Sequence, residues 1–418
     1  MNAVDLGKGE TGQGPKPRLL WIGDAVVATG FARVTHSVLH YLQDKWDVTV
    51  LGINYNGDPH SFDYKIYPAL RAQDFSLGGD QIGLHRLPEL CASVKPDVIA
   101  ALQDPWNIAP IIQKLKEVPG LFPPIVTYMP VDAENMRGDV ARQLSEGDLS
   151  IFYTRFGVKE AMKAGFRGGF RVIPHGVDRK HYQPRDRAEA RRILGIASVK
   201  PADCFLFGNV NRNQPRKRLD LSIAYFAKWL HSQDPVPEDV HLYLHCSQAD
   251  EGWDLGQLAT YFGVKGRIIV PAQDAITAIT ERLMPAVYNA IDVQISTTEG
   301  EGWGLTTHEG MACGIPQIVP RSAALAEWCD GAVRYVECTS FGATPAHVNT
   351  VRRVPDEQQF IQALDEFYKS PELREKYGQL ALARASAPEF EWAAIANQFH
   401  QALEYVLGWT DRAAMLGS

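Results

Sequence analysis

The sequence predicts an α/β protein with two doubly wound parallel sheets. Short apolar, β-branched runs alternate with segments of helical periodicity along the chain. The connections between these segments are short, as is typical of βαβ units in parallel sheets. The chain has 418 residues, which is too long for one compact core and suggests two or three domains.

Composition and charge disfavour several classes of protein. The chain is 45% hydrophobic and 22% charged, and it has no apolar run near the roughly 20 residues of a membrane span. Residues 1–17 lack the apolar core of a signal peptide. Basic and acidic residues balance over residues 1–180, so the net charge of −7 lies in residues 181–418, and neither half has the basic excess of a nucleic-acid-binding protein. The six cysteines lack metal-site or disulfide spacing, which indicates reduced thiols in a cytoplasmic protein.

The first βα series occupies residues 17–180. We expect strands at 17–24, 46–53, 64–67, 96–103, 124–132, 149–154 and 170–178. After the first strand, Gly30 opens a helix whose apolar face is made of Phe31, Val34, Val38 and Tyr41. A single glycine does not make a dinucleotide-binding fingerprint. Residues 55–82 are expected to form a long irregular excursion.

Polar side chains follow two of these strands. Gln103 and Asp104 end one strand, and Asp132 ends the next after Pro130. Open α/β sheets bind ligands at the carboxyl ends of their strands, so Gln103, Asp104 and Asp132 are candidates for a ligand cleft. For each aspartate, the alternative is a helix N-cap.

The second series occupies residues 181–387. Its strands are expected near 204–211, 241–246, 267–272, 290–296, 317–320 and 332–338, and a helix is expected over 364–385. A further helix is expected from about 390 to 407.

A glycine-rich loop links the strand at 290–296 to a short helix over 306–313. Four glycines between Gly300 and Gly310 allow the backbone to approach a ligand, and the positive end of the helix favours an anion there. Glu301 and Glu309 would repel that anion, so they are better suited to hydroxyl groups. A ligand with both phosphate and hydroxyls is a nucleotide sugar.

The string from Glu301 through Glu309 to Pro316 resembles the Glu-x7-Glu signature of the retaining, family 4 glycosyltransferases of the GT-B fold. The resemblance implies that Glu301 holds sugar hydroxyls, that Glu309 holds the ribose, and that the amides between them hold the diphosphate. It extends the donor-binding set to Gly302, Trp303, Gly304, Leu305 and Thr306. An ordinary βα loop is the alternative.

A basic segment at the start of the second series resembles the family's diphosphate grip, in which a Lys follows an Arg by five residues. Arg212 and Lys217 have this spacing, with Asn211 beside them, and Arg216 is the alternative to Arg212. A solvated basic turn is the other interpretation.

Gly30 matches the family's loop that faces the cleft from the first domain, where it would closely approach the donor phosphate or the acceptor; a simple turn glycine is the alternative. In the family the strand ends of the first domain face the acceptor, so the resemblance makes Gln103 and Asp104 acceptor-side candidates and Asp132 the residue that orients the acceptor hydroxyl. The family often has a His near an acceptor strand end, and neither strand end has one here.

The resemblance implies two Rossmann-like domains that face a central cleft. The acceptor domain would span 17–180 with a returning helix at 388–407, the donor domain 181–387, and the tails 1–16 and 408–418. Donor binding is expected to close the cleft about hinges in 178–200 and near Pro388.

The implied activity is sugar transfer from a UDP- or GDP-sugar to a hydroxyl acceptor, with retention of the anomeric configuration. The leaving diphosphate would take the acceptor's proton, so neither cofactor nor metal is needed. The sequence leaves the acceptor open: a glycan, a lipid-linked sugar, a small molecule or a hydroxylated nucleic-acid base. A hydrolase with paired carboxylates is disfavoured because it needs no phosphate-binding features. A non-catalytic nucleotide-sugar binder stays an alternative.

Overall fold

A computed structural model describes residues 15–70, 79–117, 122–196, 203–272, 280–345 and 348–408. Within these ranges a first sheet has seven parallel strands in the order β3-β2-β1-β4-β5-β6-β7. The strands are β1 (Arg18–Asp24), β2 (Asp47–Ile53), β3 (Lys65–Pro68), β4 (Val98–Leu102), β5 (Ile125–Met129), β6 (Leu149–Phe152) and β7 (Phe170–Val172). The order reverses between β1 and β4, which opens a ligand crevice at their carboxyl ends.

Five helices of this series flank the first sheet: α1 (Gly30–Leu42), α2 (Leu87–Val94), α3 (Pro105–Lys116), α4 (Gly138–Leu144) and α5 (Arg155–Lys163). The Thr29 hydroxyl caps α1 by accepting a hydrogen bond from the Ala32 N–H. The apolar face predicted for α1 is wrong at Tyr41, which is 41% exposed. Leu39 and Leu42 are buried instead, because the buried face is centred one position away from Tyr41.

The second sheet of the described chain has six parallel strands in the order β10-β9-β8-β11-β12-β13. They are β8 (Phe205–Val210), β9 (Val240–His245), β10 (Ile268–Ile269), β11 (Val293–Ile295), β12 (Gln317–Pro320) and β13 (Arg334–Val336). The accompanying helices are α6 (Arg187–Ile193), α7 (Leu219–His231), α8 (Leu255–Tyr261), α9 (Met284–Asn289), α10 (Leu305–Ala312), α11 (Leu325–Trp328), α12 (Glu357–Lys369) and α13 (Pro371–Ala385).

The region predicted as one helix over 364–385 contains two. The Ser370 hydroxyl accepts a hydrogen bond from the Leu373 N–H and caps α13, and Pro371 occupies its first turn. Proline is tolerated there but ends the preceding helix, because it has no N–H for the ladder.

An antiparallel hairpin, β14 (Cys338–Ala343) and β15 (Val351–Pro355), follows β13 and was not predicted. Its first strand is largely exposed and has no alternation of apolar and polar residues, so it carries no period-2 signal. We call β14, β15 and the turn between them the cross-lobe hairpin.

The final helix, α14 (Trp392–Val406), returns to the first sheet. The Phe399 ring packs against Trp21 and Tyr128, with centroids 5.9 and 4.6 Å apart. The first lobe therefore consists of the first sheet, its helices and α14; the second lobe consists of the second sheet, its helices and the cross-lobe hairpin.

The predicted fold class, two doubly wound parallel sheets, is confirmed by these two sheets. The predicted tails lie outside the described residues over 1–14 and 409–418. None of the described helices is long and apolar enough to cross a membrane.

Candidate functional site

The glycine-rich loop before α10 lies directly against the first lobe. A Cβ atom placed on Gly300 would lie 1.8 Å from the Asp132 carbonyl oxygen, and one on Gly302 would lie 2.3 Å from the Pro130 Cβ. Both distances are far below van der Waals contact, so only glycine permits this approach. The loop thus brings Glu301 to the carboxyl end of β5.

The N-terminus of α10 faces the start of α1. Gly304 precedes α10 with a φ of +93°, a left-handed conformation that favours glycine. A Cβ on Gly30 would lie 3.3 Å from Leu305 Cδ1. Leu305 and Thr306, both half-buried, form the first turn. The free N–H groups of this turn give the cleft a positive end suited to an anion.

Glu301 is buried in a basic environment. Its carboxylate accepts a hydrogen bond from Lys217 Nζ, and Arg216 Nη1 lies 3.4 Å from its Oε2 atom. Burial alone would raise the pKa of Glu301, but the charges of Lys217 and Arg216 outweigh burial and lower it. Glu301 is therefore held as a carboxylate between two cations.

Burial has a large effect on Lys217. It lowers the pKa of the ammonium group to about 8, helped by the Arg216 charge and opposed by Glu301. Beneath it, Asn211 donates to Asn209 Oδ1 at 2.7 Å and Asn209 donates to Ser222 at 2.9 Å. The Asn211 amide nitrogen thus bonds within the second lobe, and the donor-binding role of Asn211 stays a prediction.

Arg212 lies elsewhere. Its guanidinium donates to both oxygens of Asp250, at 3.0 and 2.9 Å, and its side chain is 60% exposed. The residue that joins Lys217 at Glu301 is Arg216, the alternative of the sequence analysis. The reason is local: Pro215–Lys217 forms a 3-10 turn that carries both residues towards Glu301.

Glu309 also has one protein partner at each carboxylate oxygen. One oxygen accepts from Arg33 Nη1 and the other from the Tyr288 hydroxyl. Burial raises the pKa of Glu309, while Arg33 opposes that rise. Arg33 comes from α1 in the first lobe and also bonds Glu281 at 2.8 Å. The sequence analysis missed Arg33, although it lies one helical turn after Gly30.

On the first-lobe side, the floor of the cleft is formed by Asp24, Gln103 and Asp104. Gln103 Nε2 donates to Asp24 Oδ1 at 3.3 Å, and its own oxygen accepts from the Asp104 N–H at 2.8 Å. Both ends of the Gln103 amide are therefore used in hydrogen bonds, and these bonds position Asp24 and Asp104. Asp24 ends β1, so the strand-end rule that selected Asp104 would have found it too. It accepts from Thr29 at 2.7 Å, and burial raises its pKa.

Asp104 occupies the N-cap position of α3, but its side chain makes no capping hydrogen bond. Burial, followed by the charge of Asp132, raises its pKa to about 7. Asp132 lies between two guanidiniums, with Arg216 Nε at 3.9 Å and Arg352 Nη2 at 3.4 Å. The helix-cap alternative does not describe Asp132, because α4 begins at Gly138 with Arg137 as its N-cap.

Trp303 has a buried side chain. It stacks on Trp328 with centroids 4.8 Å apart and donates to His308 Nδ1 at 3.2 Å. The indole ring therefore packs in the core, and the donor-binding role of Trp303, which the resemblance assigns to backbone amides, stays a prediction. No group of three His, Cys, Asp or Glu residues in the described ranges is arranged to hold a metal ion.

Comparison with known proteins supports this architecture. No protein-family model matches the chain. A D-inositol 3-phosphate glycosyltransferase of Geodermatophilus obscurus is 34% identical over 155 residues, which cover 35% of this chain and 32% of that protein. The chain thus matches about a third of the length of this relative.

Two solved structures resemble nearly the whole chain. Sucrose-phosphate synthase from Thermosynechococcus elongatus has a TM-score of 0.71 and 17% identity, covering 95% of this chain and 100% of its own. Anabaena Alr3699/HepE in complex with UDP and glucose has a TM-score of 0.68 and 16% identity, covering 93% of this chain and 100% of its own. The likeness confirms the GT-B fold predicted for this chain.

Proposed function

We propose that the chain is a glycosyltransferase that moves a sugar from a nucleotide-diphosphate sugar to a hydroxyl acceptor, with retention of the anomeric configuration. The observation that carries the proposal is the grouping of Glu301, Lys217 and Arg216 beside the N-terminus of α10. The match to a protein named a glycosyltransferase supports the same class.

Each part of this group has a chemical role. Lys217, Arg216 and the first amides of α10 would stabilise the charge that grows on the leaving diphosphate. Glu301 would accept hydrogen bonds from sugar hydroxyls. Because two cations already supply the positive charge, the reaction would need no metal or further cofactor.

The preferred donor is a UDP-sugar, since one structural neighbour was solved with UDP and glucose, and a GDP-sugar is the second candidate. Titration calorimetry with UDP, GDP and their glucose and mannose conjugates tests donor binding in the presence of EDTA. Proton NMR of the product tests retention. A protein that binds none of these nucleotides would contradict the proposed class, and an inverted product would contradict the mechanism.

A further inference from the structure

A small pocket lies where the two lobes meet, at the carboxyl ends of β4 and β5. The first lobe contributes Asp104, Trp106, Asp132 and Met136, and the turn of the cross-lobe hairpin contributes Val348 and Thr350. The pocket therefore continues the acceptor side of the cleft, and its wall is complete only when the hairpin is in place.

The lining of the pocket includes two aspartates, Asp104 and Asp132. No described residue donates a hydrogen bond to the Asp104 carboxylate, although burial and Asp132 raise the pKa of that group to about 7. The Asp104 side chain is half-buried and lines the pocket, so the hydroxyl group of a ligand would donate a hydrogen bond to its carboxylate. Asp132 differs, because Arg216 and Arg352 already meet its charge.

Most of the remaining wall is apolar. Trp106 is 42% exposed, an unusual state for an indole ring, and Met136 and Val348 lie with it around the pocket. Such walls offer few partners to the hydroxyl groups of a glycan. Arg137 also lines the pocket, and its guanidinium forms an ion pair with Asp139, to which it donates a hydrogen bond at 3.0 Å.

We infer that this pocket takes an uncharged acceptor with one hydroxyl at the Asp104 end and an apolar body, such as an aromatic alcohol. A phosphorylated sugar would instead bring its negative charge close to the carboxylates of Asp104 and Asp132. The inference rests on the proposed function, because it assigns the acceptor class of the same site. Trp106 and Val348 are then specificity-determining residues.

The hairpin half of the pocket is held by bonds to the first lobe. The N–H groups of Glu134 and Val351 each donate to the other's carbonyl at 3.0 Å. Arg353 also binds both oxygens of Glu134, at 2.9 and 2.8 Å. Acceptor selectivity is thus shared between the lobes, so substitutions on either side should alter it.

The test uses 2-naphthol as the apolar probe and glucose 6-phosphate as the anionic one, each titrated into the ligand-free protein by calorimetry. We expect 2-naphthol to bind and glucose 6-phosphate to leave its binding unchanged. Trp106→Ala and Val348→Asp should each weaken 2-naphthol binding by about tenfold, the loss expected when an apolar wall is removed or charged. Tyr261→Ala, at an 81% exposed aromatic residue of α8, is the matched control and should bind as wild type.

Absence of 2-naphthol binding, its displacement by glucose 6-phosphate, or unaltered binding in both wall variants would overturn the inference. A UDP titration of the same proteins keeps the two proposals separate. Normal UDP binding without naphthol binding rejects only the acceptor class, whereas loss of UDP binding in the wild type rejects the donor function. A thermal melt of each variant shows that it is folded.

Discussion

Arg216 and Lys217 are adjacent in sequence and converge on one carboxylate, so their chemistry can be tested separately from that of Arg212. If charge grows on the diphosphate in the transition state, Arg216→Ala and Lys217→Ala should lower kcat more than they raise KM. We expect a loss of roughly 10²- to 10³-fold in kcat for each, comparable to removal of an oxyanion donor. Arg212→Ala should be nearly silent in steady-state kinetics. A damaging Arg212→Ala beside a silent Arg216→Ala would restore the first assignment.

Lys217 should also set a pH limit. Its pKa is lowered to about 8, so the ammonium group is charged below pH 8 and neutral above it. The charge that stabilises the diphosphate is therefore lost as pH rises, and kcat/KM, which reports the free enzyme, should fall above pH 8. In Lys217→Arg the guanidinium stays protonated, so this alkaline decrease should disappear. A wild-type profile that stays flat to pH 10 would contradict the assignment.

Glu309 tests the ribose role predicted from the resemblance. Glu309→Ala should weaken donor binding by about 1.5–3 kcal/mol, because hydrogen bonds to a buried carboxylate are lost. The same change leaves Arg33 without its main partner, so a thermal melt must accompany the calorimetry. Glu281→Gln is the matched control, because it removes only the second, more exposed partner of Arg33. Unchanged donor affinity in folded Glu309→Ala would exclude the ribose role.

At the scale of residues, the sequence predicted which residue types form the site better than it predicted the contacts between them. Glu301 and Lys217 follow from a motif, but the choice between Arg212 and Arg216 depends on a 3-10 turn that spacing alone does not reveal. Arg352 and Arg33 reach the site from distant parts of the chain. Contacts of this kind arise from tertiary packing and leave no local pattern.

At the scale of elements, the close approach of the glycine-rich loop to the end of β5 can be tested directly. Gly302→Ala places a methyl group 2.3 Å from the Pro130 Cβ, so the loop and the end of β5 must separate. The cores of both lobes are untouched, and we expect a normal circular dichroism spectrum with a loss of transfer of at least about tenfold, since small misplacements of reacting groups are costly. Gly169→Ala is the control, because its new methyl group would lie at an ordinary contact distance of 3.7 Å from the Asp148 carbonyl oxygen. Full activity in Gly302→Ala would show that the lobes need not touch there.

Elements with a strong apolar pattern were the ones that the sequence predicted. The strand predicted at 317–320 matches β12 closely, because buried strands have distinctive apolar runs. The cross-lobe hairpin was missed because its exposed first strand has no alternating pattern, and its contact with Glu134 joins distant parts of the chain. Its contribution to the pocket was therefore invisible as well.

At the scale of the whole molecule, the two lobes are in direct contact. The Arg353–Glu134 pair joins them, with side chains 43% and 33% exposed. Arg353→Glu should open the cleft, because it replaces an attraction of about 0.5–1 kcal/mol, after solvent screening, with a repulsion. Small-angle scattering should show a larger radius of gyration for the ligand-free variant.

The double variant Arg353→Glu, Glu134→Arg should restore the radius. Lys228→Glu is the control, since the Lys228–Glu357 pair is similarly exposed but lies within the second lobe. The expected closure of the cleft by a donor should then be largest in Arg353→Glu. If the single variant kept the wild-type radius, the hairpin contacts would not hold the lobes together.

The return of α14 to the first lobe has a consequence for synthesis of the protein. Phe399 packs on Trp21 and Tyr128, so the first lobe completes its core only after residue 399 has left the ribosome. The second sheet, which needs residues 205–336, emerges before that moment. During translation the first lobe therefore stays incompletely folded while the second lobe folds. A nascent chain stalled just before α14 emerges should expose the apolar surface around Trp21, where a chaperone would bind.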